Sequence, residues 1–240
     1  MNSAEGTSRQ AGSTPAPRAI APVWHTVVIL LFFVAISFAG ARGIQSGIQA
    51  RGRAVLYVVM IAQQWLTVAF IWYGVSRRGV RMADLVGGRW ARPADLLRDI
   101  GIGIAFLIIC GFGAMGVIEH LLRVVPNPAV RQILPLTPAE DVLWVVVALG
   151  AGFNEELVYR GYLQRQFTVL TRTVAGGIAL QAIVFGFSHG YQGWRSMLGI
   201  VVLGGMLGLL AHWRRSLRPG MIAHAMQDGL VGLFARNLMR

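Results

Sequence analysis

The sequence predicts an all-α polytopic membrane protein with about seven transmembrane helices, six to eight being the range. Three observations predict it. Of 240 residues, 55% are hydrophobic and 13% charged, about half the ~25% charged share of a soluble domain. Mean hydropathy is +0.58. Charge-free runs extend over Ala54–Ser76 and Ile100–Ile118, each long enough to cross about 30 Å of hydrocarbon at about 1.5 Å per helical residue.

The elements follow in order. Residues 1–22 are rich in Ser, Ala, Gly and Pro and are expected to form a disordered tail. Val23–Ala41 is the first span. Its Ala39-Gly40-Ala41 resembles a signal-peptidase site, but the apolar stretch exceeds a usual signal core, so it is read as a retained helix. Ala54–Ser76 is the second span and Ile100–Ile118 the third. The loop between them, Arg77–Asp99, ends in a segment from Pro93 with Leu96 and Leu97 on one side and Asp or Arg on the other, the pattern of an interfacial helix. Residues Glu119–Pro138 hold four prolines, Pro126, Pro128, Pro135 and Pro138. They read as an irregular loop dividing an N-terminal half, 23–138, from a C-terminal half, 139–240.

The fourth span, Ala139–Leu170, is too long for a perpendicular crossing and should tilt or protrude. Gly150 and Gly152 within it permit a bend or close packing. Thr173–Ser188, Ser196–Trp213 and Pro219–Ala235 complete the seven. No internal repeat is visible.

The formal charge is +12, and every basic residue is arginine. The arginines fall in short loops between apolar runs, which is the pattern of membrane orientation and argues against nucleic acid. Of the 22, 14 fall on the side of the N-terminus. That side is expected to be cytoplasmic, in a multi-pass plasma-membrane protein. The single cysteine, Cys110, permits no intramolecular disulfide and reads as a packing residue. His25 beside Trp24, His120 beside Glu119 and His212 beside Trp213 read as span-end residues.

Charged residues inside apolar helices are costly and mark functional positions. The fourth span carries "EELVYRGYLQ", residues 155–164. Glu156 and Arg160 are four apart and share a face, whereas Glu155 is rotated by about 100° and projects elsewhere. A structural ion pair is one reading. A division of labour is the other, with Glu156–Arg160 holding geometry and Glu155 free for chemistry. The fifth span ends in "FGFSH", which puts Phe185 and His189 on one face. The seventh contains "HAMQD", which puts His224 beside Asp228. If the three helices pack together, these groups surround one wet cavity, and glutamate with histidine suffices to activate water and stabilise an oxyanion.

These motifs, EExxxR, FxxxH and HxxxD in this order, resemble the CAAX prenyl protease and bacteriocin-processing (CPBP, or abortive-infection) family of intramembrane endopeptidases. The resemblance spans about residues 139–235. It implies an all-helical membrane fold with a cavity opening toward the cytosol. It implies that Glu155 is the principal catalytic residue, supported by Glu156 and Arg160, with His189, His224 and Asp228 completing the site. Asp228 stands where the prenyl-protease branch commonly has asparagine. The family was classed as metalloprotease, which implies a divalent metal such as zinc on Glu155, His189 and His224; a metal-free, glutamate-activated water is the other version. The spacing is not HExxH, so it does not by itself demand zinc. The expected partners are a peptide or membrane-anchored protein substrate and the lipid bilayer. A non-catalytic scaffold or immunity protein is the alternative, followed by a proton-coupled transporter, which the lack of a repeat disfavours.

Overall fold

In the computed structural model, residues 18–125 and 127–238 are described, so most of the expected tail, and Pro126, lie outside the described residues. Helices account for the chain: α1 Val23–Arg51, α2 Arg53–Ser76, α3 Met82–Val86, α4 Pro93–Leu121, α5 Pro128–Ile133, α6 Pro138–Thr171, α7 Val174–Ser188, α8 Trp194–Arg214 and α9 Arg218–Leu238. Among the described residues there is no strand. Starts follow local signals. Thr137 and Glu140 form a capping box at α6, with Pro138 in its first turn, and the Thr173 hydroxyl accepts from the Gly176 N–H at α7. Outward faces are apolar and bare, as at Phe38, Leu66, Ile109 and Leu149, which is the surface lipid would cover.

Among the described residues, five helices are long and apolar enough to cross a membrane: α1, α2, α4, α6 and α8. The other two expected spans exist as helices but differ from them. α7 has 15 residues and falls short of ~30 Å by itself. α9 carries His224, Gln227 and Asp228 on its length. It meets this polarity by packing between α4 and α6. α1 runs beyond Ala41 to Arg51. The expected interfacial helix begins at Pro93 but continues unbroken into the third span. The acid that would have ended it, Asp99, is buried and charge-compensated: Arg214 Nη2 lies 3.2 Å away and Trp90 Nε1 donates at 2.9 Å. Within Glu119–Pro138, α5 interrupts the irregular loop.

The bundle has two unlike ends. One gathers the start of α1, α3, and the junctions α6–α7 and α8–α9. Arg165 donates to the carbonyls of Asp84 and Leu85, and the Leu217 N–H donates to Val86. Residues 18–22, expected in the tail, pack here: Gln166 accepts from the Ile20 N–H and donates to the Ala21 carbonyl. The other end gathers α5, the start of α2 and the end of α7. There Arg53 donates to Gln132 and Tyr57 to Ile133.

α9 lies along α6 at a distance only glycine allows. A Cβ on Gly152 would fall 2.7 Å from Ala225 Cβ and from the Met221 carbonyl. His25 lies in the first turn of α1, at a span end as expected, and is buried there between α2 and α6. It stacks on Phe70 at 4.1 Å, its Nε2–H donates to the Phe70 carbonyl at 2.8 Å, and its Nδ1 faces Tyr162 Oη at 2.8 Å. Gly74 makes room for the ring, because a Cβ there would overlap the imidazole. Gly74→Ala should therefore cost about 1–3 kcal/mol through overpacking. Gly116→Ala, with nothing within 4 Å of the added carbon, should be neutral or stabilising by up to about 1 kcal/mol. Thermal unfolding of both variants in detergent checks the contrast; equal melting points would refute it.

Candidate active site

The long helix α6 changes winding where the charges begin. Residues Pro138–Glu155 are α-helical and Glu156–Leu163 form a π-segment, a form that appears mostly as short insertions at functional sites. Across that junction the two glutamates diverge. Glu156 is fully buried, and its Oε1 accepts from Arg160 Nη1 at 2.9 Å and from His224 Nδ1 at 3.0 Å. Arg160 is equally buried. It extends to the Gly204 carbonyl on α8 at 3.4 Å and stands over the Phe185 ring at 4.3 Å. Glu155 makes none of these contacts. Its side chain is 26% exposed and faces both histidines.

The histidines are each held by one nitrogen. His189 Nδ1 lies 2.8 Å from the Phe185 carbonyl, which assigns the proton to Nδ1 and leaves Nε2 as an acceptor. His224 Nδ1 donates to Glu156 by the same logic. The free nitrogens converge on Glu155: Oε2 is 3.9 Å from His189 Nε2 and 3.7 Å from His224 Nε2. Asp228 Oδ2 lies 3.7 Å from His224 Nε2. These separations are too long for direct hydrogen bonds and suit one water in contact with several groups. Glu155 Oε2 itself is buried with no hydrogen-bond partner.

All six residues singled out in the sequence thus meet. Phe185 lies edge-on to His189 at 4.8 Å and to His224 at 6.0 Å, so the spacing within FxxxH places an apolar wall against both rings. Trp144 Nε1 donates to the Asp228 carbonyl at 2.9 Å, which fixes the turn of α9 that carries the acid.

The cavity in front of Glu155 and His189 has a volume of about 230 Å³. Its walls are largely apolar, with Phe33, Leu56, Val59 and Met60 from α1 and α2, and it extends toward Ile133 and Tyr191. Several polar neighbours carry no motif of their own. Tyr159 Oη donates to Ser188 Oγ at 2.8 Å, Ser188 donates to the Phe185 carbonyl at 2.7 Å, and the Tyr191 ring stacks against His189 at 6.1 Å. Asn154 donates to the Gln64 carbonyl at 2.7 Å and Gln64 to that of Val147 at 3.1 Å, tying α2 to α6. Position next to a motif residue is the only signal available for Asn154 and Ser188, and Tyr191 stands two residues beyond His189.

The donor types suit zinc, but their placement does not. At Zn–N and Zn–O distances of about 2.0–2.2 Å, tetrahedral ligands stand roughly 3.4 Å apart. Glu155 is farther than that from either histidine nitrogen. Among the described residues, no three His, Cys, Asp or Glu come together as a metal-holding group.

A buried pair missing one partner is strongly destabilising. Arg160→Ala strands Glu156, and Glu156→Ala strands Arg160. Each should lower stability by about 3–5 kcal/mol, measured by thermal or denaturant unfolding in detergent. Glu155→Gln, at a residue without an ion-pair partner at bonding distance, should shift it by less than about 1 kcal/mol.

Residues 138–230 match the family model described as type II CAAX prenyl endopeptidase Rce1-like. The match takes in α6 to α9 and all six motif residues. No curated protein and no solved structure matches the chain.

Proposed function

We propose that the protein is an intramembrane endopeptidase that hydrolyses a peptide bond with a glutamate-activated water, a reading supported by the match of residues 138–230 to the model described as type II CAAX prenyl endopeptidase Rce1-like. One observation carries the reading: the Glu155 carboxylate, relieved of any structural duty, faces the free Nε2 of both histidines in a largely apolar cavity.

The chemistry follows from the hydrogen-bond polarity. A water in contact with Glu155 and His189 donates one hydrogen to the carboxylate and one to His189 Nε2, so its lone pair is aimed at a substrate carbonyl. Glu155 takes the first proton as the oxygen attacks the carbonyl carbon. The resulting oxyanion accepts from the Nε2–H of His224 in its protonated form. Asp228 stands beside that nitrogen and holds the ring. Collapse breaks the C–N bond, and the proton on Glu155 passes to the leaving amine. Glu156 and Arg160 touch no reacting atom; they hold His224.

The substrate is proposed as a membrane-associated peptide or membrane-anchored protein, since the cavity is walled by α1 and α2. The family is named for CAAX prenyl substrates. The Asp228 position, commonly asparagine in the prenyl-protease branch, tests how closely this chain follows them.

Glu155→Gln should lower turnover by about 10²–10⁴-fold, the usual worth of a general base, with the melting point retained. Comparing membrane peptide profiles of cells carrying the native protein or Glu155→Gln identifies the substrate first. Full turnover by the glutamine variant would remove the assignment. Asp228→Asn keeps shape and acceptor oxygen and should keep substantial activity, whereas Asp228→Ala should lose most of it. If asparagine is as inactive as alanine in a folded protein, the negative charge itself is required. Elemental analysis of active, detergent-purified protein addresses the metal. Activity without stoichiometric metal supports the glutamate–histidine version, and a stoichiometric metal that is required for turnover supports ligation by Glu155, His189 and His224 after a shift of their side chains.

A further inference from the structure

A second cavity, of about 380 Å³, lies at the arginine-bearing end of the bundle, on the far side of Arg160 from the catalytic cluster. Its basic lining comes from three separate stretches: Arg18 before α1, Arg165 near the end of α6, and Arg215, with His212 nearby, at the α8–α9 junction. Among the described residues, no acidic side chain lines it. The remaining wall is mostly apolar, supplied by Ile20, Leu85, Val169 and Leu217. Arg160 also contributes to its lining, and in the same side chain Nε is buried without a hydrogen bond while the rest of the guanidinium is engaged by Glu156 and Gly204. Orphaned buried donors are rare and call for an explanation.

From this combination we propose that the cavity is a binding site for an anionic phospholipid headgroup. Arginine forks match phosphate oxygens, and basic pockets between transmembrane helices hold lipid head groups. The apolar wall decides between a free phosphate and a lipid. A free anion gains nothing from Ile20, Val169 and Leu217, whereas the first carbons of an acyl or glycerol chain are buried against them. The volume accommodates a headgroup and the root of its chain. Arg18 and Arg215 are exposed at the rim, where they can fold onto an arriving phosphate. Arg165 already spends donors on the carbonyls of Asp84 and Leu85, so it shapes the mouth. The proposal does not depend on peptidase activity, because it is read by binding alone.

The test titrates detergent-purified full-length protein with short-chain phosphatidylglycerol, short-chain phosphatidylcholine and inorganic phosphate, following the melting point. Phosphatidylglycerol is expected to bind at least tenfold more tightly than phosphatidylcholine. The double variant Arg18→Gln/Arg215→Gln should weaken phosphatidylglycerol at least tenfold. The control Arg77→Gln/Arg78→Gln removes the same charge from the same end, outside the cavity, and should stay within twofold of the native protein. Glu155→Gln should bind like the native protein, which separates this site from the catalytic one. Equal weakening by both double variants would reduce the effect to general surface charge and overturn the site. Inorganic phosphate saturating the same arginines, with phosphatidylglycerol no tighter, would overturn the lipid assignment.

Discussion

The buried carboxylate of Glu156 is the joint on which the arrangement depends. One oxygen receives both the Arg160 guanidinium and the His224 imidazole, and through them α6 is tied to α8 and α9. Charge buried in hydrocarbon is tolerable only when every partner is present and well placed. The joint therefore constrains its surroundings: Gly220 must be small because a Cβ there would lie 3.0 Å from Glu156 Oε2, and Gly152 must be small for α9 to come near enough. Once Glu156 has taken the structural duty, Glu155 is left without a direct hydrogen bond at Oε2, 3.7–3.9 Å from the two histidines at the cavity wall. A carboxylate not consumed by hydrogen bonds is a liability for stability and the requirement for a base. The same pair of adjacent residues supplies both roles because the helix period turns them apart.

The catalytic geometry is thus built from the outside inward. Trp144 fixes the turn of α9 at Asp228, Glu156 fixes His224, and the Phe185 carbonyl fixes His189. Each histidine has one nitrogen consumed by this support, which selects its tautomer and aims the other nitrogen at Glu155. A similar economy appears away from the site, where His25 spends both nitrogens on Phe70 and Tyr162 and is left with no chemistry to do. Both kinds of histidine sit in buried, hydrogen-bonded settings. What separates them is the number of ring nitrogens left free.

Much of this was legible because i,i+4 spacing on a helix is a strong geometric statement. Glu156–Arg160, Phe185–His189 and His224–Asp228 are all such pairs, and each pair does come to lie side by side. Contacts between distant segments left no such trace. Nothing about His25 in sequence distinguishes a snorkelling interfacial histidine from one buried against α2, since its partners are 45 and 137 positions away. The continuity of α4 from Pro93 into the third span is hidden in sequence for the same reason. Asp99 reads as a span boundary until Arg214, from another helix, is placed 3.2 Å from it. α9 escaped the apolar criterion because a helix enclosed by protein answers to its neighbours rather than to lipid.

The two ends of the bundle also bring two sequence expectations into opposition. The balance of arginines assigns the end with α3 and the α8–α9 junction to the cytoplasm. The family resemblance assigns the mouth of the catalytic cavity to the cytosol. The cavity runs from Glu155 toward Ile44, Leu56, Ile133 and Tyr191, and these belong to the opposite end. One topology cannot satisfy both, so orientation and substrate source are a single question in this fold. Arg89 lies in the loop after α3, and Arg123 follows α4 at the other end. A cysteine at either position, in a chain with Cys110 replaced, meets an impermeant reagent from only one side of the membrane. Labelling at Arg123 with protection at Arg89 upholds the arginine rule and brings the substrate from outside. The reverse pattern places the cavity mouth in the cytosol, and the arginine-lined end then faces the outer leaflet.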